Sequence, residues 1–450
     1  MQSTFASLAS RNYRLRFIGG IVGNTGTWMQ RVAQDWLVLT ELTEDSGLAV
    51  GVVTALHFGP SLVLSPFAGL VADRLPKRAI LMATQVAQAA LAGAIGLLVL
   101  TDLVALWHVC ALALLLGVVT AFDAPANQTF VGQLVPGHLL ANAVALNAAS
   151  FNLSRMLGPA LAGVLMGAIG AGWVFVVNAV SFAAPITALA MIRTSELRLT
   201  ARVPRAKGQI RAGLAYISRR GDILVILVVI GVVSCLGLNS QLTMAVMARE
   251  EFGRGAGEYG ILGSIFAVGA LAGSLLAARR SRPRVRLVVG SAFAFALASG
   301  VSALSPTYWF YAAWGLVVGL VTLTLITAAN ATIQLSTSPE MRGRVMSLYM
   351  VVFLGSTPVG SPLVGWVAEA WGPRWSVGVG ALASLVVVLG AAIWIKLRWH
   401  VSLEMTSLIP PHVAIVNPTA GHGPDDDATL VQSAPDDDGS PAAPSSSRDG

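Results

Sequence analysis

Residues 223–248 read ILVILVVIGVVSCLGLNSQLTMAVMA and contain no charged side chain. A helix crosses the hydrocarbon of a bilayer with about 20 consecutive apolar residues. Eleven further apolar runs of similar length lie at roughly 17–40, 47–71, 79–101, 103–123, 141–168, 172–192, 256–278, 287–304, 308–329, 345–368 and 374–397. The sequence therefore predicts an all-α polytopic membrane protein with twelve transmembrane helices.

The composition supports this class and excludes several others. The chain has 450 residues, of which 55% are hydrophobic and only 11% charged, whereas soluble proteins carry about 25% charged residues. The two cysteines, Cys110 and Cys235, lie inside apolar runs and cannot form a disulfide framework. A cytoplasmic enzyme, a secreted disulfide scaffold and a disordered protein are therefore excluded.

The basic residues indicate the orientation of the chain. If the N-terminus is cytoplasmic, 24 Lys and Arg residues lie in inside segments, whereas outside segments hold three: Arg249, Arg254 and Arg374. This bias predicts that both termini are cytoplasmic and that the protein resides in the plasma (inner) membrane. The net charge of +7 then reflects topology and contact with anionic membrane lipids, and no nucleic-acid partner is needed to explain it.

The first and second halves of the chain repeat each other. Gly158-Pro159 and Ser361-Pro362 lie 203 residues apart, as do Pro136 and Pro339. We expect a six-helix bundle over 1–192, a basic cytoplasmic linker over 193–222 and a second six-helix bundle over 223–397. Such parallel repeats place a site between the bundles near mid-membrane. Residues 398–450, rich in Pro, Ser and Asp, are predicted to form a disordered cytoplasmic tail.

Two motifs carry a resemblance to the major facilitator superfamily. The turn after the second run, with Gly69, Asp73, Arg74, Lys77 and Arg78, resembles the superfamily signature Gly-x-x-x-Asp-Arg-x-Gly-Arg-Lys/Arg, and departs from it at Pro76. Gly158, Pro159 and Gly163 resemble a signature of antiporters that export. The resemblance implies the major facilitator fold with two pseudo-symmetric bundles, a monomer, a gating turn that latches the cytoplasmic side, and a hinge in the fifth span.

Further stretches are similar to a narrower group, the drug and siderophore exporters that resemble the enterobactin exporter. They are Trp28-Met29-Gln30, Trp36-Leu37-Val38, Ala121–Ala126, Asn142–Asn147, Phe151–Arg155 and Arg342–Tyr349. This similarity implies efflux of a small molecule.

Polar residues in the first span form the best candidate for a working site. Asn24, Thr27, Arg31 and Asp35 recur at helical spacing and share one face, with Gln30 and Gln34 beside them. Such a face is costly against lipid and predicts a central cavity; the alternative is that Arg31 and Asp35 only neutralise each other as an i,i+4 pair. Burial favours a neutral carboxyl and a nearby arginine favours a carboxylate, so Asp35 is the first candidate for a proton carrier.

Other polar residues in the spans have two readings each. Arg155 either attracts an anionic substrate group or pairs with Asp123 or Asp35. Asp123 is either a coupling residue or a solvated helix end, and His57 is either a proton relay or a packing residue. In the second half the polar cavity candidates are Asn239, Gln241, Thr327 and Asn330. No metal-ligand or cofactor motif is present.

These features together favour a secondary active transporter. We expect proton-coupled export of a small amphipathic molecule (a drug-like compound, siderophore or secondary metabolite) by alternating access. The chain lacks a Gly-x-x-x-x-Gly-Lys loop for ATP and the His-Glu-x-x-His or paired-carboxylate patterns of a membrane enzyme. The alternatives are an importer, a lipid-handling facilitator and a non-transporting membrane sensor or scaffold.

Overall fold

The computed structural model describes residues 5–198, 209–278, 285–399, 402–406 and 412–416. Sixteen α-helices account for most of this part of the chain. They are α1 (Arg11–Leu37), α2 (Gly47–Arg74), α3 (Lys77–Leu100), α4 (Leu106–Leu134), α5 (Leu140–Ile169), α6 (Ala171–Ser181), α7 (Ala183–Ala190), α8 (Gln209–Arg219), α9 (Gly221–Val232), α10 (Ser240–Val246), α11 (Ala256–Ala278), α12 (Val285–Ala303), α13 (Tyr308–Ser336), α14 (Pro339–Gly355), α15 (Thr357–Trp371) and α16 (Pro373–Trp399).

Short helical turns connect several of these elements. Three are π-helical, Val38–Leu42, Val233–Gly237 and Met247–Glu251, and three are 3-10, Ala6–Ala9, Gly137–Leu139 and Thr194–Glu196. The predicted seventh span is built from α9, two of the π turns and α10. It is therefore less regular than its uninterrupted apolar sequence indicates.

Ten helical segments in the described part of the chain are long and apolar enough to cross a membrane. The two predicted spans outside this set are 17–40 and 141–168, which correspond to α1 and α5, helices of 27 and 30 residues. Both carry charged residues, Arg31 and Asp35 toward the C-terminal end of α1 and Arg155 at the middle of α5. The all-α membrane fold is confirmed, while the total of twelve spans stays a prediction.

Several predicted helix ends differ from the structure, as for the tenth span, which was expected to stop near 329 although α13 ends at Ser336. The largest of these differences concerns the fourth span. The fourth span was expected to stop near Asp123, but α4 continues through Pro125 to Leu134. Proline lacks the backbone N–H and normally interrupts a helix. In membrane helices it is tolerated because neighbouring groups satisfy the freed carbonyl.

The chain divides into two units, Met1–Ala391 and Ala392–Gly450. In the second unit, β1 (Ser402–Thr406) pairs antiparallel with β2 (His412–Val416). Both strands lie inside the predicted disordered tail, so the prediction of disorder is wrong for these ten residues. The rest of residues 400–450 lies outside the described part, where the expected disorder stays a prediction.

The helix packing of the first unit follows a twofold pattern. In the first half α2 packs on α4, and in the second half α11 packs on α13. Between the halves, α2 packs on α15 and α5 packs on α11. The second and eighth predicted spans correspond to α2 and α11, and the fifth and eleventh correspond to α5 and to α14 with α15. The contact of α2 with α15 is therefore the counterpart of the contact of α11 with α5, as expected for two related bundles.

The two halves touch at one end of the first unit, the predicted outer end. Gly51 of α2 lies so close to Ser361 of α15 that an added Cβ would collide with the backbone, and Gly260 of α11 lies equally close to Pro159 of α5. Arg249 donates to Asp45 at 3.0 Å, and Ser46 Oγ donates to Glu369 at 3.2 Å. These contacts join the first half to the second beside a shared apolar core.

Candidate functional site

A cavity of about 190 Å³ lies among the helices of the first unit. Both predicted halves contribute to its wall. The lining residues are Thr27, Gln30, Arg31, Gln34, Asp35, Thr54, His57, Phe58, Gln88, Leu116, Asn178, Phe182, Leu238, Asn239, Gln241, Leu242, Leu354 and Thr357. Five of the six polar residues singled out in the first span lie in this wall, and the sixth, Asn24, is outside it.

Glycines on α1 orient this polar face. Gly19 and Gly23 approach Pro185 of α7, and Gly26 approaches Asn178 of α6, each too closely for a larger side chain without adjustment. Glycine allows such close approach of membrane helices. Because the glycine side of α1 is packed against α6 and α7, the adjacent side with Arg31 and Asp35 is left to line the cavity.

Arg31 contacts a histidine and two aromatic rings. Its Nη2 lies 3.3 Å from His57 Nε2, and the guanidinium carbon is 4.9 Å from the Trp28 ring centre and 5.1 Å from that of Phe58. Guanidinium groups bind the faces of aromatic rings favourably. The ion pairs found in the described residues do not include Arg31 with Asp35, so the simple i,i+4 pairing is not formed in this conformation.

Asp35 is buried and joined to the other half of the molecule. Its Oδ2 accepts a hydrogen bond of 3.3 Å from the hydroxyl of Tyr259 on α11, which also lies 3.3 Å from the Gln241 carbonyl. The Tyr259 ring stacks on Trp36 at a centroid distance of 5.9 Å. Tyr259 was missed by the sequence reasoning, although a tyrosine in an apolar run was a usable signal because buried hydroxyls usually find a partner.

Gln30 and Asp123, two further polar residues of the first half, accept hydrogen bonds from amide and hydroxyl side chains. Asn178 Nδ2 donates to Gln30 Oε1 at the cavity wall. Asp123 accepts hydrogen bonds from Thr84 Oγ1 at 2.6 Å and Gln85 Nε2 at 3.1 Å. Asp123 does not lie at a helix end, because α4 continues to Leu134; its role in coupling stays a prediction.

Arg155 lies at the contact between the halves and outside the cavity wall. Its guanidinium carbon is 6.0 Å from the Trp28 ring centre on α1 and 5.6 Å from that of Phe266 on α11. The expected pairing with Asp123 or Asp35 is absent from the ion pairs of the described residues. Arg155 is instead held between two aromatic rings.

The predicted hinge residues sit at close helix contacts. An added Cβ at Gly158 would overlap the Trp28 side chain of α1, and one at Gly163 would approach the carbonyls of Ala256 and Gly257. Pro159 contacts Gly260 and Gly263 of α11. These residues hold α5 against α1 and α11; a hinge motion stays a prediction.

The predicted gating turn covers Gly69 to Arg78 and joins α2 to α3. Arg78 donates from Nε to the Leu189 carbonyl at 2.7 Å and from Nη2 to the Ala190 carbonyl at 3.0 Å. These carbonyls end α7, where a cation is favoured by the helix dipole. Pro76, the departure from the signature, directly precedes α3, which begins at Lys77. The side chain of Asp73 lies outside the described part, so its latch role with Arg74 stays a prediction.

The second-half candidates separate into two groups. Asn239 and Gln241 line the cavity. Thr327 and Asn330 of α13 are outside its wall, and the Asn330 amide oxygen accepts from Gln334 within the same helix. Periodicity could not distinguish these groups, because it assigns a helix face without identifying the neighbour of that face.

A helical membrane bundle with a charged cavity between two related halves is the architecture of a major facilitator transporter. Residues 2–421 match the family described as "Transmembrane secretion effector". The chain belongs to this family of the major facilitator superfamily, so the resemblance found in the sequence is confirmed. It is a multi-span membrane transporter.

Characterised bacterial relatives are efflux and siderophore transporters by name. The chain is 23% identical to the "Staphyloferrin A transporter" of Staphylococcus aureus, over 77% of this chain and 87% of the relative. It is 21% identical to "Macrolide efflux protein A" of Streptococcus pyogenes, over 84% and 96%. It is 25% identical to the "Multidrug efflux pump Tap" of Mycolicibacterium fortuitum, over 80% and 89%.

Solved structures agree on the fold. An inward-facing bacterial homologue of the human lysosomal transporter Spinster has a TM-score of 0.64 at 13% identity, covering 85% of this chain and 95% of that one. The nucleoside transporter NupG has a TM-score of 0.67 at 10% identity, covering 86% and 100%. At these identities the likeness concerns the architecture alone.

Proposed function

We propose that this chain is a secondary active exporter of a small amphipathic molecule in the bacterial plasma membrane. The cavity between the halves is the substrate site, and the halves expose it alternately to the cytoplasm and the exterior. Relatives named for siderophore transport, macrolide efflux and multidrug efflux support export. In this proposal the protein works as a monomer, and its partners besides the transported molecule are protons and membrane lipids.

Inward proton movement supplies the energy in this proposal, and Asp35 carries the proton. The observation that carries it is the position of Asp35, the one carboxylate in the wall of the described cavity, 7% exposed and hydrogen-bonded across the halves to Tyr259. A carboxyl in this place responds to any rearrangement that changes its access to water or its distance from Arg31. Proton binding is thereby linked to the conformation of the bundle.

Closure of one end supports alternating access. At the predicted outer end, backbones of α2 and α15 touch at Gly51 and Ser361, and the Asp45–Arg249 ion pair joins the halves. Exporting a molecule requires these contacts to open while new contacts form at the other end. The transported molecule binds in the first arrangement and leaves in the second.

The test begins by identifying the molecule and then measures its coupling. Untargeted metabolomics of cells with and without the gene identifies the compound retained when the protein is absent. In everted membrane vesicles with an acidic lumen, we expect the wild type to accumulate this compound and Asp35→Asn to lose at least about 90% of gradient-driven uptake. Counterflow exchange, which needs no net proton transfer, should persist in Asp35→Asn.

Asp102→Asn is the matched control, since Asp102 lies in the loop before α4 and has a left-handed backbone (φ 55°) that asparagine also adopts. Uptake by this variant should equal that of the wild type. Full gradient-driven uptake by Asp35→Asn would remove Asp35 from the mechanism. If wild-type uptake stays unchanged when the pH gradient is collapsed, the transport is not coupled to protons.

A further inference from the structure

Arg155 is a charged residue near the middle of a predicted membrane span, where burying a charge costs free energy. It lies at the middle of α5, a helix of 30 residues, and is therefore roughly 20 Å from either end. An arginine at the centre of a membrane span costs about 2.5–3.5 kcal/mol on insertion scales. Such residues are retained where they pair with another group or bind a ligand.

No hydrogen bond or ion pair is found for Arg155 within the described residues. Other arginines of the first half do have partners: Arg16 donates to Asn127 at 2.8 Å, and Arg78 donates to two carbonyls at the end of α7. A guanidinium carries five N–H donors. The Arg155 guanidinium therefore lies between the Trp28 and Phe266 rings, and its N–H donors have no acceptor among the described residues.

Arg31 adds a second positive charge beside the same indole. The Arg31 guanidinium carbon lies 4.9 Å from the Trp28 ring centre, and its hydrogen-bond partner in the described structure is the His57 ring. Neither arginine forms an ion pair with a carboxylate in that part of the chain. Two guanidiniums therefore lie near one indole ring, Arg31 at the cavity wall and Arg155 at the contact between the halves.

We propose that Arg155, with Arg31 beside it, binds a planar anionic group of the exported molecule, a carboxylate or sulfonate attached to an aromatic or other flat body. This rests on the proposed export function and names the class of its substrate. The planar guanidinium fork matches the two oxygens of such a group, and the Trp28 and Phe266 rings beside it supply aromatic contacts for the flat body. A ligand here touches α1, α5 and α11, and so both halves.

The same anionic chemistry exists in phospholipid head groups. Head-group phosphates lie at the membrane surface, whereas Arg155 lies at mid-helix. A small organic acid within the protein reaches this depth more readily than a head group does. We therefore assign the site to the transported molecule, and a lipid is an outcome that the experiment detects.

The test uses a pair of probes that differ in charge. Radiolabelled 1-naphthoate and its neutral amide, 1-naphthamide, are bound to the purified full chain in detergent by a scintillation proximity assay, which needs no gradient. We expect the wild type to bind naphthoate more tightly than naphthamide. Arg155→Gln should weaken naphthoate binding by roughly ten- to a hundredfold, the range for loss of a charged hydrogen bond, and leave naphthamide within about twofold.

Arg254→Gln is the matched control. Arg254 also lies over an aromatic ring, Tyr308, at 5.5 Å, but it is exposed at the predicted outer end. Its loss should leave both probes unaffected. Arg155→Lys, which keeps the charge and loses the fork, should bind naphthoate with intermediate affinity and carries the test if Arg155→Gln does not fold.

Three results would overturn the assignment. They are equal affinity of the wild type for both probes, including no binding of either up to millimolar concentrations; unchanged naphthoate binding in Arg155→Gln; and displacement of naphthoate by equimolar phosphatidylglycerol, which would assign the site to a lipid. A protein that binds naphthoate through Arg155 but transports nothing under a proton gradient would refute the proposed export function and leave this binding site standing.

Discussion

The first span and the seventh occupy equivalent places in the two halves but differ in construction. α1 packs on α5 and runs unbroken to Leu37, whereas its counterpart consists of α9, the π turn Val233–Gly237 and α10, and packs on α15. α1 brings Arg31 and Asp35 to the cavity; the seventh span brings Asn239 and Gln241. Among the described lining residues, the charged side chains therefore come from the first half alone, whereas the second half contributes only neutral ones.

Close contacts at a glycine occur in both halves despite this difference. Gly158 of α5 touches α1 at Trp28, and Gly360 of α15 touches the seventh span at the Cys235 carbonyl. A side chain at either position would collide with its neighbour. Each half thus places a glycine where these helices touch, at positions one residue apart in the repeat, while the polar groups that the two helices bring to the cavity differ.

The largest effect should come from removing one of these contacts. Gly360→Leu forces a side chain into the Cys235 backbone, and overpacking of this kind costs about 1–3 kcal/mol or more. We expect a strongly reduced yield of folded protein and a lower unfolding temperature in detergent. Gly290→Leu in α12, where an added Cβ meets nothing within 4 Å, is the control and should behave as the wild type; equal stability of the two variants would contradict the packing account.

A smaller effect should follow from removing the hydrogen bond between Tyr259 of the second half and Asp35 of the first. Tyr259→Phe removes the hydroxyl that donates to Asp35, and a hydrogen bond contributes about 0.5–1.5 kcal/mol. Gradient-driven transport should fall by up to about tenfold with unchanged folding. Tyr308→Phe, which removes a hydroxyl bonded to the Glu258 carbonyl at 2.8 Å, should leave transport intact, and an equal loss in both variants would place the effect outside the Asp35 contact.

The smallest effect should come from the predicted outer end. Asp45→Asn breaks the exposed ion pair to Arg249, which contributes about 0–1 kcal/mol and can shift the balance of conformations by no more than about fivefold. Access of a membrane-impermeant thiol reagent to a cysteine introduced at Ser361 should rise modestly. Glu251→Gln breaks the Arg374 pair within one half and should not change this access; the same rise there would show that the Asp45 pair does not hold the halves together.

Features governed by local spacing were predictable from the sequence. The length and hydropathy of the runs predicted ten helical segments that are long and apolar enough to cross a membrane, and the spacing of Thr27, Arg31 and Asp35 placed them on a common helix face. The Gly158–Pro159 pair marked a close contact because glycine in a helix usually has a packing reason. Each of these inferences needs only the geometry of a single helix.

Features that depend on two distant segments were not predictable. The Asp35–Tyr259 hydrogen bond joins residues 224 positions apart, and Arg155 between Trp28 and Phe266 requires knowing that α5 meets both α1 and α11. The continuation of α4 past Pro125 was missed because proline is a reliable helix breaker only in water. Asn330 was assigned to the cavity because its helix face was known and its neighbour was not.

The Tyr259 hydroxyl owns one hydrogen and faces two acceptors, the Asp35 carboxylate in one half and the Gln241 carbonyl in the other. Under the proposed mechanism, a proton on Asp35 would turn the carboxylate into a carboxyl group, which is a weaker acceptor and carries an O–H donor of its own. The Tyr259 hydrogen would then favour the Gln241 carbonyl, and the rotation of one O–H bond would link the charge of Asp35 to the main chain of the opposite bundle.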